Sequence, residues 1–446
     1  MRAFSAQHQR LAEDARAIFV AAADAVGPET LIGKIDLDLH LRRPLSAYNN
    51  VWVLGMGKGA LALACVLEQH LGDRIDGGFV ATVRGYPDNL PARYTPPQRI
   101  EVGEGGHPFP DAGSVRNARR ILRLAREAGS DDLVLTLVTG GGSSVCADFA
   151  PGISLDDALT TTRLLLEAGV DIHSVNLVRK QLSRIADGRL ARTVHPAEAL
   201  VLVVSDVVGD DLEVIASGPM VDCSGSREAA MALLRDAKLW SKLPRSVRGH
   251  LEHDHPAAIA RHEGEPPHVT HLIIGSNETA LQGAAAAARE MGYVTEIKAR
   301  NVSGEAREVA GRLLTAVMSS APAAGHCFLA GGETTVTVRG RGRGGSNQEM
   351  ALAAAILLDE WDSGLTFLSG GTDGIDGLTD AAGAVVSRDT CIRARELGID
   401  PLQFLDNNDS HTFFEQVGGL IRTGPTHTNV MDVQVILTGP PGDGPA

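Results

Sequence analysis

VLTLVTGGGSS, residues 134–144, sets apolar and β-branched side chains (Val134, Leu135, Leu137, Val138) directly before three glycines and two serines. An apolar run of that length, closed by glycine, predicts a buried parallel strand. Gly140, Gly141 and Gly142 have no Cβ to hold a ligand away, so backbone N–H groups can approach an anion closely. Ser143 and Ser144 add hydroxyls, and a following helix would add further donors at its N-terminus. The expectation is a phosphate or carboxylate site; the competing reading is a tight turn that needs glycine for packing.

Working outward, the same arrangement recurs. VWVLGMGKGA (51–60) predicts a strand, a glycine turn bearing Lys58, and a helix from about Leu61 to His70. The spacing matches neither a Walker loop nor the dinucleotide fingerprint. GGFVATVRGY (77–86) predicts a strand and GEGGHPFPD (103–111) a loop, where His107 and Asp111 could serve a site or a rigid turn. Helices are expected from Phe4 to Val26, from Leu155 to Ala168, and over 172–191. In the last of these, Asn176, Arg179 and Lys180 fall at helical spacing and can share one face. ALVLVVSDVVGDD (199–211) ends a strand with Asp206, Asp210 and Asp211. Carboxylates at the C-terminal end of a parallel strand sit where α/β ligands bind, and hard oxygens suit Mg²⁺ held with phosphates.

Between Cys223 and Pro267 the chain turns polar, which marks a boundary between domains. A second α/β series then begins: a strand and loop over 271–280, and a helix from Ala284 to Met291. Next come a strand ending in Gly331-Gly332-Glu333, a second strand over 334–338, a basic loop, and a helix. Arg339, Arg341 and Arg343 alternate with glycine in that loop, ahead of Ser346 and Asn347, and read as an anion clamp. Residues 366–386 predict a strand and an Asp/Gly loop carrying Asp373 and Asp376; 423–437 predict a loop and a last strand.

The 446 residues allow two or three full-sized domains, and 43% hydrophobic with 22% charged residues fits a soluble globular protein. A net charge of −14 without a basic tail argues against nucleic-acid binding. The five cysteines (Cys65, Cys146, Cys223, Cys327, Cys391) show no metal or disulfide spacing, and no run reaches membrane-spanning length. A cytoplasmic protein is expected.

In combination, GMGKGA, HPFPD, TGGGSS, NLVRKQLS with GRLA, SDVVGDD with ASGP, GGETTV, GGSNQE, GTDGIDG with DAAGA, and GPTHTNV resemble the glycerate 2-kinase family, whose C-terminal module is the MOFRL domain. The resemblance runs from about Ala15 to Leu437. It implies a Rossmann-like three-layer α/β/α domain with a parallel sheet (1–255), then a three-layer α/β domain with a mixed sheet (256–446), with the active site in the cleft between them. It implies ATP- and Mg²⁺-dependent phosphorylation of D-glycerate at the 2-hydroxyl. ATP and D-glycerate are then the partners, with a homodimer allowed and neither nucleic acid nor membrane.

On this reading Lys58, Arg343 and Asp206 are catalytic. Gly140, Gly141, Gly142, Ser143, Ser144, Asn176, Arg179, Glu333 and Asn347 bind the nucleotide, and Asp206, Asp210 and Asp373 are the metal candidates. Asp373, Asp376 and Glu333 are alternatives for the roles of Asp206. Two departures stand out. Ser346 replaces the arginine the family commonly has there, and Ala186-Asp187-Gly188 replaces Lys-Gly-Gly. The alternatives are an NAD(P)H-dependent hydroxypyruvate reductase and a non-catalytic nucleotide or sugar-acid binding protein.

Overall fold

The computed structural model describes residues 6–222, 226–253, 268–320, 323–361 and 363–441. Cys223 and the expected boundary at 255/256 lie outside them. The chain divides into two compact units, Ile32–Ile274, and Met1–Leu31 with Gly275–Ala446.

The first unit is built on strands β1 (Val51–Met56), β2 (Gly77–Val83), β3 (Ile100–Gly105), β4 (Leu133–Thr139), β5 (Glu198–Val204) and β6 (Val269–Gly275). Their order is β3-β2-β1-β4-β5-β6, and the pairings among the first five are parallel. This is the doubly wound order, whose switch point lies between β1 and β4. Every residue of β4 and β5 is buried, as expected for central strands covered on both faces. Helices Ala60–Leu71 and Ala112–Glu127 pack against the sheet. Leu155–Glu167 and Ile172–Leu182 enclose a smaller apolar cluster with Leu165, Val178, Leu234 and Val247.

β6 corrects the expected domain division. Residues 269–275 complete the first sheet instead of opening the second series, and the amide of Ala199 donates to the carbonyl of His268 at 2.9 Å. The loop expected after β6 is helical from Asn277 to Glu290, because Ser276 and Thr279 form a capping box.

The second unit carries β7 (Val294–Val302), β8 (His326–Gly332), β9 (Thr366–Gly371), β10 (Gly383–Ser387), β11 (Leu420–Ile421) and β12 (Asp432–Leu437). The order is β11-β10-β9-β12-β8-β7, parallel only between β7 and β8 among the pairings described. The N-terminal helix, Ala6–Ala25, packs here against Asn277–Glu290 and the sheet, burying Leu11, Ile18 and Phe19. Val26 O accepts from Thr428 Oγ1 at 2.8 Å, and Tyr293 donates its hydroxyl to Asp14 at 2.6 Å. Residues 6–31 therefore fold with the C-terminal half.

The second strand expected over 334–338 does not form. Apart from one bridge between Glu305 and Thr335, that segment finds side chains in place of a strand: the Glu305 carboxylate accepts from the Thr337 amide and hydroxyl. Cys65, Cys146, Cys327 and Cys391 are free and buried. Among the described residues no helix is long and apolar enough to cross a membrane.

Candidate functional site

Among the loops at the C-terminal ends of the first sheet's strands, those after β1, β3 and β5 meet at the triglycine that follows β4. After β1, the amide of Lys58 donates to Gly140 O at 2.8 Å, and that of Gly59 to Thr139 Oγ1 at 3.1 Å. After β5, Asp206 lies so close to Gly140 that a Cβ there would collide with its carboxylate. After β3, the His107 ring packs on Gly141: a Cβ on Gly141 would lie 3.0 Å from His107 Cδ2 and 3.4 Å from Lys58 Cγ. Gly141 also has φ +78°, which disfavours any other residue. The glycines therefore serve both readings at once. They permit the turn, and they let an ammonium, an imidazole and a carboxylate crowd onto one loop.

The helix after the turn is a single one, Gly142–Val145, so its dipole adds little. What the turn offers is the amides of Gly142 and Ser143, which meet no backbone acceptor among the described residues. Ser143 accepts from the Arg179 guanidinium at 3.4 Å, which joins helix Ile172–Leu182 to the loop. Arg179 is half-buried, burial lowers its pKa, and among the described residues no carboxylate pairs with it. It lines a cavity of about 260 Å³ with Phe109, Phe149, Leu159 and Leu166. Asn176, one turn earlier, does not line it. Ser144 is spent elsewhere: it is buried and donates to Pro108 O at 2.7 Å, holding the His107–Asp111 loop. Its expected contact with a ligand gives way to that structural one.

Partial burial, and then the Lys58 ammonium, pull the His107 pKa down to about 4. The imidazole is thus neutral from about pH 5 upward. No histidine limb near pH 6.5 is expected in the pH profile of kcat. An inflection there that vanishes in His107→Asn would contradict this.

Asp210 sits on the loop after β5 with φ +56°, and its Oδ1 is buried without a hydrogen-bond partner among the described residues. With Asp206 it offers hard oxygens on the loop that meets the triglycine. Among the described residues no three His, Cys, Asp or Glu side chains cluster as a metal cage. One or two carboxylates completed by substrate phosphates is the arrangement Mg²⁺ usually takes, and these residues fit it.

Ala186-Asp187-Gly188 forms a tied turn. Asp187 pairs with Arg189 at 3.2 Å, and the amide of Gly188 donates to Gly218 O at 2.8 Å.

In the second unit the basic loop lies against residues 407–410. Amides of Arg339 and Gly340 donate to Asn408 Oδ1 at 2.7 and 2.9 Å, and that of Arg343 to Asp409 Oδ1 at 2.9 Å. A Cβ on Gly340 or Gly342 would strike that turn. The alternation has a steric origin: glycines face the turn while Arg339, Arg341 and Arg343 stay exposed, without an ion pair among the described residues.

Asn347 and Asp376 are corrected to structural roles. Asn347 is buried; its amide side chain donates to Asp432 Oδ1 at 2.7 Å and accepts from Ser369 Oγ at 2.6 Å. Asp376 accepts from the backbone and side chain of both Asn347 and Gln348, and so caps helix Ser346–Glu360 from another segment. Burial pushes its pKa up to about 6 against the pull of those donors. Ser346 opens that helix half-buried, so an arginine's long side chain would start there from a fixed first turn.

Asp432 escaped the sequence reading. It is buried and its Oδ2 has no hydrogen-bond partner among the described residues. Burial first, then the charge of Glu333, with Asp376 and Asp373 adding, hold its pKa well above the carboxylate range. Glu333 is exposed and Asp373 half-buried, its Oδ1 accepting from Ile375 N at 3.1 Å.

A doubly wound sheet with a glycine loop at its switch point places this chain among the α/β proteins whose ligands bind at the carboxyl ends of the strands. Comparison with known proteins narrows this. Residues 14–252 match a domain of unknown function (DUF4147), and 326–432 match the MOFRL family. A D-glycerate 2-kinase of Thermotoga maritima is 37% identical over 423 residues, 93% of this chain and 95% of that protein. A putative hydroxypyruvate reductase of Agrobacterium vitis is 39% identical, over 87% of each chain. The crystal structure of a glycerate kinase from Thermotoga maritima matches with a TM-score of 0.83 at 35% identity, covering 96% of this chain and all of that one. The chain belongs to the glycerate kinase family with a MOFRL domain.

Proposed function

We propose that this protein is a glycerate 2-kinase that moves the γ-phosphoryl group of ATP to the 2-hydroxyl of D-glycerate. The observation that supports it most is the meeting of Lys58, Asp206 and the uncommitted amides of Gly142 and Ser143 on one loop at the switch point. Phosphoryl transfer asks little covalent chemistry of the protein; it asks for positioning and for charge where charge develops.

In this reading the amides and Ser143 Oγ cradle phosphate oxygens, and Lys58 neutralises the group in transit. The 2-hydroxyl oxygen forms the new bond to phosphorus as the bond to the leaving ADP oxygen breaks. The hydroxyl proton passes to Asp206. Mg²⁺, which Asp210 would hold together with the phosphates, would supply charge neutralisation. Chelation is expected to abolish turnover and added Mg²⁺ to restore it; full activity in EDTA would remove the metal from the reading. Arg343 is a further cation for the reaction, and an Arg343→Ala enzyme with unchanged kcat would remove it.

The deciding assay supplies ATP, Mg²⁺ and D-glycerate and couples the product through enolase, with and without phosphoglycerate mutase. Signal with enolase alone is expected, since 2-phosphoglycerate is enolase's substrate. Signal only with mutase would move the acceptor to the 3-hydroxyl. Silence in both, with NADH or NADPH consumed on hydroxypyruvate, would hand the function to the reductase.

A further inference from the structure

The cavity beside the triglycine loop is larger and more apolar than a three-carbon acid requires. It holds about 260 Å³ and is walled by Phe109, Phe149, Leu159 and Leu166. Its polar lining is Thr162, Ser183, Ser217 and Ser143 with Arg179, a guanidinium tied only to the Ser143 hydroxyl among the described residues. Two large apolar side chains of its wall stand in solvent, Phe109 53% and Leu166 47% exposed. Glycerate carries an oxygen function on every carbon, and apolar walls would leave those groups unpaired. A nucleoside offers weakly polar ring faces to such walls and an anionic tail to a guanidinium.

We infer that this cavity seats the nucleoside of the phosphoryl donor, with Arg179 and Ser143 at the start of its phosphate chain. The inference rests on the kinase reading and deepens it. The phosphates then run from Ser143 across Gly142 and Gly141 toward Lys58, so residues 32–274 carry the whole nucleotide. The acid acceptor takes nothing from the cavity. Arg179 acts on the donor and not on the glycerate carboxylate.

The test compares ATP with tripolyphosphate, which has the anionic chain and no nucleoside. Leu159→Trp fills the cavity, and Phe109→Ala removes an exposed wall without disturbing the core. Leu159→Trp is expected to raise KM for ATP about tenfold. It leaves the inhibition constant of tripolyphosphate and KM for D-glycerate within about twofold. Phe109→Ala moves ATP alone, in the same direction. An unchanged KM for ATP in both variants overturns the inference, as does a rise for D-glycerate in place of ATP. If the unaltered enzyme forms no ADP with D-glycerate, the kinase reading fails on its own. Calorimetric titration with ATP then decides the cavity: binding weakened by Leu159→Trp upholds the seat, and binding that is absent or unaltered overturns it.

Discussion

Lys58→Ala is expected to yield a folded protein whose kcat is lower by about 10²–10³, the usual cost of losing one well-aimed charged donor. The fold should survive because what fixes the turn is backbone. Lys58 N still donates to Gly140 O, Gly59 N to Thr139 Oγ1, and the side chain is only half-buried. The rate should fall because the ammonium stem lies against Gly141, beside the uncommitted amides of the loop. Arg179, the other cation near the loop, reaches it at Ser143. Lys58→Arg tests shape against charge. A planar fork cannot reproduce the point contact of an ammonium, so partial recovery is expected. Far-ultraviolet circular dichroism and Tm check the fold, and single-turnover kinetics check chemistry. A near wild-type single-turnover rate in Lys58→Ala would take Lys58 out of the mechanism.

Much of the site was legible because a buried parallel strand announces itself. Val51–Met56, Leu133–Thr139 and Glu198–Val204 are apolar runs that stop at glycine or at Ser205-Asp206, and the functional side chains follow within a few residues. What a glycine accommodates was not legible. Gly140 reads as a turn residue, yet Asp206 is what presses on it, from about 65 residues along the chain. Partner choice was equally hidden. The stripe Leu11, Ile18, Phe19 says that the first helix buries a face, and nothing local says that it buries it against β9 and β12. β6 was misplaced for the same reason: one apolar strand carries no mark of which sheet it joins. Asp373 and Asp376 are indistinguishable in TDGIDG, and tertiary contacts alone make one a helix cap. Asp432 hid at the start of a strand, where its neighbours Val433 and Val435 read as core.

Asp376→Ala is the substitution expected to cost most in stability, roughly 3–5 kcal/mol. Four N–H groups converge on this one carboxylate, at 3.1 and 3.4 Å from Asn347 and at 2.8 and 2.9 Å from Gln348. Two are orphan amides of the first turn of Ser346–Glu360, whose own cap position is Gly345 and has no side chain to offer. Removing the acceptor strands the two backbone amides, while Asn347 Nδ2 and Gln348 Nε2 keep only Asp432 Oδ1 and Thr379 Oγ1. The damage would spread, because Gln348 Oε1 also meets His411 Nδ1 at 2.9 Å, and Asn347 orients Asp432. Helix Ser346–Glu360 is central to its unit's core, burying Met350, Leu352 and Leu358. Fraying its first turn therefore loosens packing well beyond the loop. At 2–4 °C per kcal/mol for a unit of this size, Tm should fall by roughly 10 °C. Asp380→Ala is the comparator: that carboxylate is exposed, pairs with Arg422 at 2.9 Å and lies 3.5 Å from His411 Nε2, so its loss should lower Tm far less than that of Asp376. Differential scanning calorimetry separates the two outcomes. If Asp376→Ala and Asp380→Ala shift Tm equally, the cap carries no special weight and the helix is held by its apolar face alone.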